Sequence, residues 1–459
     1  MASAAVDPGI FKAYDVRGLY PDQINADVAE GLGRGFVRVL AGMAGKPQDE
    51  LRIGLGRDMR PAAPELAARY RDGMVAEGAH VLDAGMVGTE MLYWLVGARG
   101  LDGGVMCTAS HNPKAYTGAK FVKDGALALS GDEGLQEIRE TIAAGLGDPP
   151  GGGSVEEVDI YPELHEAALA LVDTDEVKPM NIVVEGSHGM AVPMVGPLLE
   201  RIGLDPVTLH WEADGNLIPD IGPNPLLEEN RKFIVEKVRE VGADLGIAWD
   251  GDADRCFFID EYGEFVPGDF LTALLARSIL RKQPGAKILY DVRASWAVPD
   301  TVKAAGGIPL INRVGHAFFK TRMRDEGGVF GGEVSGHYYF NQFYNADSGT
   351  LPALLILELL SVEDVSMSDL LEPFRTKYFI SGEINTEVAD QQAKMEEIAA
   401  QYSDARQSQL DGISIDYDDW HFNVRPSNTE PLLRLCLESL VSHEDMERRR
   451  DEVLALIRS

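Results

Sequence analysis

Ser110 stands in the polar stretch Thr108-Ala109-Ser110-His111-Asn112-Pro113, directly after the apolar run Gly103-Gly104-Val105-Met106-Cys107. A strand ending in such a loop presents its serine at the carboxyl edge of a sheet, where open α/β folds keep their ligands. Ser110 is therefore a candidate nucleophile. Taken alone, the stretch is more commonly a turn shaped by Ser110 and Asn112 ahead of Pro113. A second stretch changes the balance. Asp250, Asp252 and Asp254 alternate with Gly251 and Ala253 after the apolar run Leu245-Gly246-Ile247-Ala248-Trp249. Three carboxylates so close repel one another unless a divalent cation sits among them, and an all-oxygen set suits magnesium. A calcium loop is disfavoured, because no bidentate glutamate follows at the required distance and the preceding segment reads as strand.

Two further loops carry polar groups at short spacing. Glu333 and Ser335, with His337 beyond them, lie in Gly332-Glu333-Val334-Ser335-Gly336-His337, and a carboxylate two residues from a hydroxyl suits adjacent sugar hydroxyls. Glycines around such a pair more often mark a simple turn. Arg425, Ser427, Asn428 and Thr429 place a guanidinium, two hydroxyls, an amide and main-chain donors in one loop, a suitable nest for an anion.

These four loops, in this order, resemble the signature loops of the α-D-phosphohexomutase superfamily, and most closely its phosphomannomutase/phosphoglucomutase branch. The resemblance runs from Tyr14-Asp15-Val16-Arg17-Gly18 to Arg434. It implies reversible phosphoryl transfer between C6 and C1 of hexose phosphates through a phosphoserine at Ser110 and a hexose 1,6-bisphosphate intermediate. It also implies Mg2+ held by Asp250, Asp252, Asp254 and Ser110. Arg255 is suited to a phosphoserine oxygen, and equally to a buried ion pair with the aspartates. Lys120 matches the family's general acid/base, with a pKa expected to be lowered by Arg17, Arg255 and the metal. Tyr14, Arg17 and His111 match residues near the serine, and His316 a further residue that assists proton transfer. Glu333, Ser335 and His337 match the sugar-reading loop. Arg425, Ser427, Asn428 and Thr429, with Arg434 behind them, match the site for the phosphate that is not reacting. Three positions depart from the family pattern: Ala253 replaces a frequent glycine, Arg293 a lysine and His188 an asparagine. Neither Arg293 nor His188 is expected to touch the core mechanism, whereas Ala253 is expected to stiffen the metal loop slightly. Phosphoglucosamine mutase is the rival enzyme reading, a phosphosugar-binding protein without turnover the rival of another class, and a magnesium-dependent phosphatase a third.

The 459-residue chain has room for three to four domains. Its 74 acidic against 42 basic residues give a formal charge of -32, which argues against nucleic-acid or anionic-membrane partners. A phosphorylated substrate must be gathered by a local basic pocket against that field. Cys107, Cys256 and Cys436 sit in apolar runs and read as reduced core residues. The first residues lack the basic and apolar regions of a signal peptide, and Leu351 to Leu360 is shorter than the ~20 residues that span a bilayer, so a cytoplasmic location is expected. Hexose phosphates are the expected partners, with the chain a monomer or homodimer.

The elements that must carry the loops repeat. Arg52–Arg57, Asn181–Glu185 and Lys287–Asp291 each read as a buried strand followed by a helical stretch and a second strand, at His80–Asp83, Pro206–Leu209 and Pro309–Asn312. A third strand then runs into the serine, aspartate or glutamate loop. The order predicts parallel sheets with right-handed crossovers. The fold class expected is α/β: three repeated domains with mixed, mainly parallel sheets at 1–150, 155–258 and 259–373, and a smaller α+β domain at 374–459. The resemblance adds an active site in a central cleft.

Overall fold

The structure is a computed structural model that describes residues 6–131, 133–216, 222–427 and 432–459. The chain forms two compact units, Met1–Phe265 with His337–Asp364, and Val266–Gly336 with Val365–Ser459.

In the first unit one sheet places Arg52–Arg57 between His80–Met86 and Gly103–Cys107, all parallel. The antiparallel strands Tyr116–Lys123 and Val16–Leu19 extend it beyond Gly103–Cys107, and Ser154–Glu157 adds a parallel edge. Alternate residues of its central strand face opposite helix layers, as the pleat requires. Ile53 and Leu55 share a core with Phe36, Leu66 and Tyr70, while a methyl on Gly54 would touch Leu92 and Leu95 of the helix Thr89–Ala98. The second sheet places Ile182–Glu185 between Val207–Leu209 and Leu245–Trp249, and the antiparallel Cys256–Asp260 follows.

In the second unit Lys287–Asp291 lies between Ile308–Asn312 and Gly328–Gly332, again parallel. The spatial order second, first, third strand thus occurs three times, and each third strand runs into one of the expected loops. The last strands form an antiparallel sheet in the order Phe379–Glu387, Leu432–Ser439, Trp420–Pro426, Ile413–Asp416, Arg406–Ser408. The helix His443–Arg458 packs Val453 and Ile457 onto Trp420, Phe422 and Leu435. Its start is fixed by Ser442, whose hydroxyl accepts from the Asp445 N–H at 3.1 Å.

The expected domain limits are less sharp than the loops. The expected start at 155 and the limits at 258/259 and 373/374 fall inside Ser154–Glu157, Cys256–Asp260 and the helix Met367–Arg375. The first two are strands added at a sheet edge beyond the three-strand repeat, so the glycine- and proline-rich stretch from Gly145 to Gly153 ends at the first sheet. The apolar segment around Leu351–Leu360 is the buried helix Thr350–Glu363, and no described helix is long and apolar enough to cross a membrane. The three cysteines are free, with Cys107 and Cys256 buried and Cys436 half-buried.

Candidate active site

Ser110 is buried and its backbone is left-handed, with φ of 47°, a conformation that costs a non-glycine residue about 1–2 kcal/mol. The loop around it is held from behind. The Ser110 N–H donates to the Thr108 hydroxyl at 2.8 Å, and that hydroxyl donates to Asp58 at 2.7 Å. Arg60, 2% exposed, donates to the carbonyls of Ser110 and Asn112 at 2.8 and 2.7 Å and to those of Pro113 and Tyr116 at 3.1 Å. Its Nε pairs with Asp58 at 3.2 Å. Arg17 donates to the Ala109 carbonyl at 3.2 Å and to the Asn112 side chain, and is held by Asp15 at 2.7 Å. With the loop so fixed, the Ser110 hydroxyl donates to Asp250 Oδ2 at 3.2 Å, and its oxygen lies 3.2 Å from His111 Nδ1.

The aspartate loop lies against it. One carboxylate oxygen from each of Asp250, Asp252 and Asp254 falls within 4.8 Å of the others, and all three side chains are buried. Asp250 accepts from the Arg255 N–H at 3.1 Å and from its Nε at 2.8 Å. Lys120 Nζ donates to Asp252 Oδ2 at 2.8 Å and to Asp254 Oδ2 at 2.5 Å. Asp252 Oδ1, Asp254 Oδ1 and Arg255 Nη2 are buried with no hydrogen-bond partner among the described residues. Burial holds the Asp254 carboxyl well above its ordinary range and raises that of Asp250, the neighbouring carboxylates adding to both. At Asp252 the burial effect is outweighed by Lys120, and its carboxyl lies below the ordinary value. Buried carboxylate oxygens without partners are costly, and a hard divalent cation with oxygen ligands would satisfy them. The residues present fit a magnesium ion. Ala253 has φ of 60°, so the departure from glycine falls where the backbone is left-handed and a glycine is least strained.

The protein's own charges set the Lys120 ammonium. Burial alone would lower the Lys120 ammonium, but Asp252 and Asp254 outweigh it, and its pKa lies well above that of an ordinary lysine. His111 behaves oppositely. Burial, with Arg255 and Arg17 nearby, holds its imidazole well below the usual value, so the ring beside Ser110 is neutral at pH 7. Arg255 makes the ion pair with Asp250 and still leaves Nη2 unused.

The first unit also holds Tyr14, half-buried ahead of the strand Val16–Leu19, and His337, whose Nε2 is 3.8 Å from Asp254 Oδ1 and whose backbone bridges Arg255. The second unit holds the remaining described candidates. Glu333 is buried and accepts from the Gly315 N–H at 2.8 Å, next to His316 at the start of the helix His316–Glu326. Ser335 is half-buried in the same loop as Glu333. Arg425 lies 3.6 Å from Asp411, which also accepts from the Val314 N–H at 2.8 Å. Ser427 is buried, its N–H donating to the Leu432 carbonyl at 2.8 Å. Arg434 pairs with Glu383 at 2.9 Å. Asn428 and Thr429 lie outside the described residues.

Arg293, a departure not expected to touch the core mechanism, is a junction. It bonds Asp291 at 3.0 and 2.8 Å and Glu383 at 3.0 Å, and lies 3.9 Å from Glu333. It therefore connects the glutamate loop to Arg434 through Glu383. Asp58, Arg60 and Thr89 were equally invisible in the motifs. Thr89 starts a helix and donates to Asp252. No spacing announces these residues, since their partners lie 50 to 163 positions away.

Comparison with known proteins places the chain. Four family models match in order: phosphoglucomutase/phosphomannomutase alpha/beta/alpha domain I at 8–146, domain II at 163–263, domain III at 267–378 and the C-terminal domain at 383–456. A protein of Xanthomonas campestris described as "Phosphohexose mutases" is 43% identical over 452 residues, 98% of this chain and 99% of the relative. A "Phosphomannomutase" of Vibrio cholerae is 39% identical over 457 residues, 98% of each chain. Among solved structures, a phosphoglucomutase/phosphomannomutase family protein from Burkholderia thailandensis superposes with a TM-score of 0.89 at 30% identity, covering 98% of this chain and 97% of that one. With matches along almost its whole length, the chain belongs to the phosphoglucomutase/phosphomannomutase family of the α-D-phosphohexomutase superfamily and is a mutase enzyme.

Proposed function

We propose that the chain moves a phosphoryl group reversibly between C6 and C1 of mannose and glucose phosphates, through a phosphoserine at Ser110 and a hexose 1,6-bisphosphate. The observation that carries this reading is the Ser110 hydroxyl 3.2 Å from Asp250, in a loop with two buried carboxylate oxygens and one guanidinium nitrogen that have no hydrogen-bond partner among the described residues. Those are the groups a serine-bound phosphoryl and its counter-ion need. Phosphoryl transfer depends chiefly on positioning and charge neutralisation. Asp250, Asp252, Asp254 and Ser110 would hold Mg2+, which when bound offsets the charge of the phosphoryl oxygens.

The chain's own residues do the rest. Arg255 offers its unused Nη2, and Arg17 a second guanidinium, to phosphoryl oxygens. His111, neutral beside Ser110, is able to hold the proton that leaves the hydroxyl when serine accepts phosphate. Lys120 is a charged ammonium. To take a proton from the attacking sugar hydroxyl it must first yield its ion pairs, so we assign it to donating and orienting until that happens. His316 assists proton transfer. Glu333, Ser335 and His337, with Tyr14, read the sugar, and Arg425, Ser427, Asn428, Thr429 and Arg434 hold the distal phosphate. The four-domain division carries these loops, with the second limit moved past Asp260. We further place the protein in the cytoplasm, as a monomer or homodimer without nucleic-acid or membrane partners.

The test is mutase turnover of wild type and Ser110→Ala on mannose, glucose and glucosamine 1-phosphates, with Mg2+ and a trace of 1,6-bisphosphate. Turnover of the mannose and glucose substrates, abolished in the variant, is expected. Preference for the glucosamine substrate would move the chain to the phosphoglucosamine branch, and binding without turnover on all three would end the mutase assignment.

A further inference from the structure

Asp252 offers two carboxylate oxygens with opposite surroundings. Oδ2 accepts from Lys120 at 2.8 Å and from the Thr89 hydroxyl, whereas Oδ1 is buried without a hydrogen-bond partner among the described residues. We propose that Thr89 is a positioning residue for the reaction: its hydroxyl fixes the Asp252 carboxylate so that Oδ2 stays with Thr89 and Lys120 and Oδ1 is left to the divalent cation. The inference rests on the magnesium reading of the aspartate loop.

Five features of one helix start support it. Thr89 is fully buried and opens the ten-residue helix Thr89–Ala98. Its N–H donates to the Asp252 carbonyl at 3.2 Å, so a single residue holds both the main chain and the side chain of Asp252. A methyl on the preceding Gly88 would meet that same carbonyl oxygen at 2.9 Å, so the helix start is seated directly on the aspartate loop. The next residue, Glu90, accepts from the Thr350 N–H at 3.3 Å, and Gly349 packs against the backbone of Ala253 and Arg255. The helix is thereby tied to the aspartate loop from a second side. Lys120 also reaches the Thr89 hydroxyl at 3.4 Å, so Thr89 orients the ammonium together with the carboxylate. Without the hydroxyl, Asp252 is free to rotate and present both oxygens to Lys120, drawing Oδ1 from the cation. Groups that orient a metal ligand in this way contribute about 10–100-fold to affinity.

The experiment compares wild type, Thr89→Val, Thr89→Ser and Asp252→Asn by calorimetric titration with Mg2+ and by steady-state kinetics. Thr89→Val keeps the shape and removes the donor. It is expected to weaken Mg2+ binding about ten-fold or more and to lower kcat with little change in KM, and Thr89→Ser is expected to restore both. Wild-type Mg2+ affinity and kcat in Thr89→Val, or a Thr89→Ser no better than valine, would overturn the proposal. Should Thr89→Val not fold, Thr89→Ala is read against Thr89→Ser in its place. Asp252→Asn separates the two levels: cation binding that survives it would refute the magnesium site itself, whereas binding lost there and unchanged in Thr89→Val refutes the role of Thr89 alone.

Discussion

Arg60→Lys isolates the geometry of the serine loop from its charge. The arginine fork donates to four carbonyls of that loop and pairs with Asp58. A lysine keeps the positive charge beside the buried Asp58, so the several kcal/mol that follow from stranding a buried carboxylate are avoided. With three donors on a single nitrogen it cannot span four carbonyls and an acid. The bonds lost are those that keep Ser110 at φ of 47°. Once loosened, the loop relaxes toward ordinary backbone, and the strain of about 1–2 kcal/mol sets the penalty for returning. That corresponds to about a 5–30-fold fall in the population of loops with the serine in place. The expected result is a kcat lowered by about that factor, and an equal fall in the rate at which 1,6-bisphosphate phosphorylates Ser110 in single-turnover mixing. The hexose phosphate KM should barely move, because the sugar-reading residues are elsewhere in the chain. Unchanged phosphorylation in a folded Arg60→Lys would refute the idea that the fork holds the nucleophile.

Gly97→Ala tests the hairpin that follows His337. An added methyl on the helix Thr89–Ala98 would enter the ring of Tyr344, which turns the chain between Tyr338–Phe340 and Ala346–Asp347. A cost of about 1–3 kcal/mol is expected, and thermal unfolding identical to wild type would show that the ring has room to move. Glu90→Gln tests a buried carboxyl. Burial raises Glu90 from its ordinary 4.5 to about 7, against the hydrogen bonds from Ser348 and Thr350. The folded state therefore keeps a proton that the unfolded state has lost between these values, so stability falls as pH rises from 4.5 to 7, by on the order of 3 kcal/mol. Melting curves across that range should slope less in the variant than in wild type, and parallel slopes would contradict the assignment.

Much of this architecture was legible because local pattern and global fold agree. Apolar runs of four to six residues followed by polar loops announce strands whose ends do chemistry, and each such run is a strand here. The antiparallel returns Tyr116–Lys123 and Cys256–Asp260 were harder. They follow the functional loops so closely that the loop and the next strand read as one motif, and the domain limit at 258/259 came out inside a strand. The supporting residues were not legible at all. Asp58, Arg60 and Thr89 are ordinary polar residues after strands, and acquire a role only when the sheets bring Ser110 and Asp252 beside them. Lys120 shows the same limit in its charge: it lies ten residues after Ser110 in sequence, but the carboxylates it touches lie 132 and 134 residues away.

The division of the chain into interleaved units has a consequence for how the protein is made. The first unit lacks His337–Asp364 until those residues have left the ribosome. The helix Thr350–Glu363 in that segment is buried over most of its length, and Glu90 waits for Thr350. More than seventy residues of the other unit must therefore be synthesised before the first can close its core. Contacts of such long sequence separation slow folding and prolong the exposure of apolar surface. For the same reason neither unit is a continuous segment that a single cut could release. A truncation at Phe265 would keep the serine and all three aspartates, and lose both His337 and the helix that backs their loop.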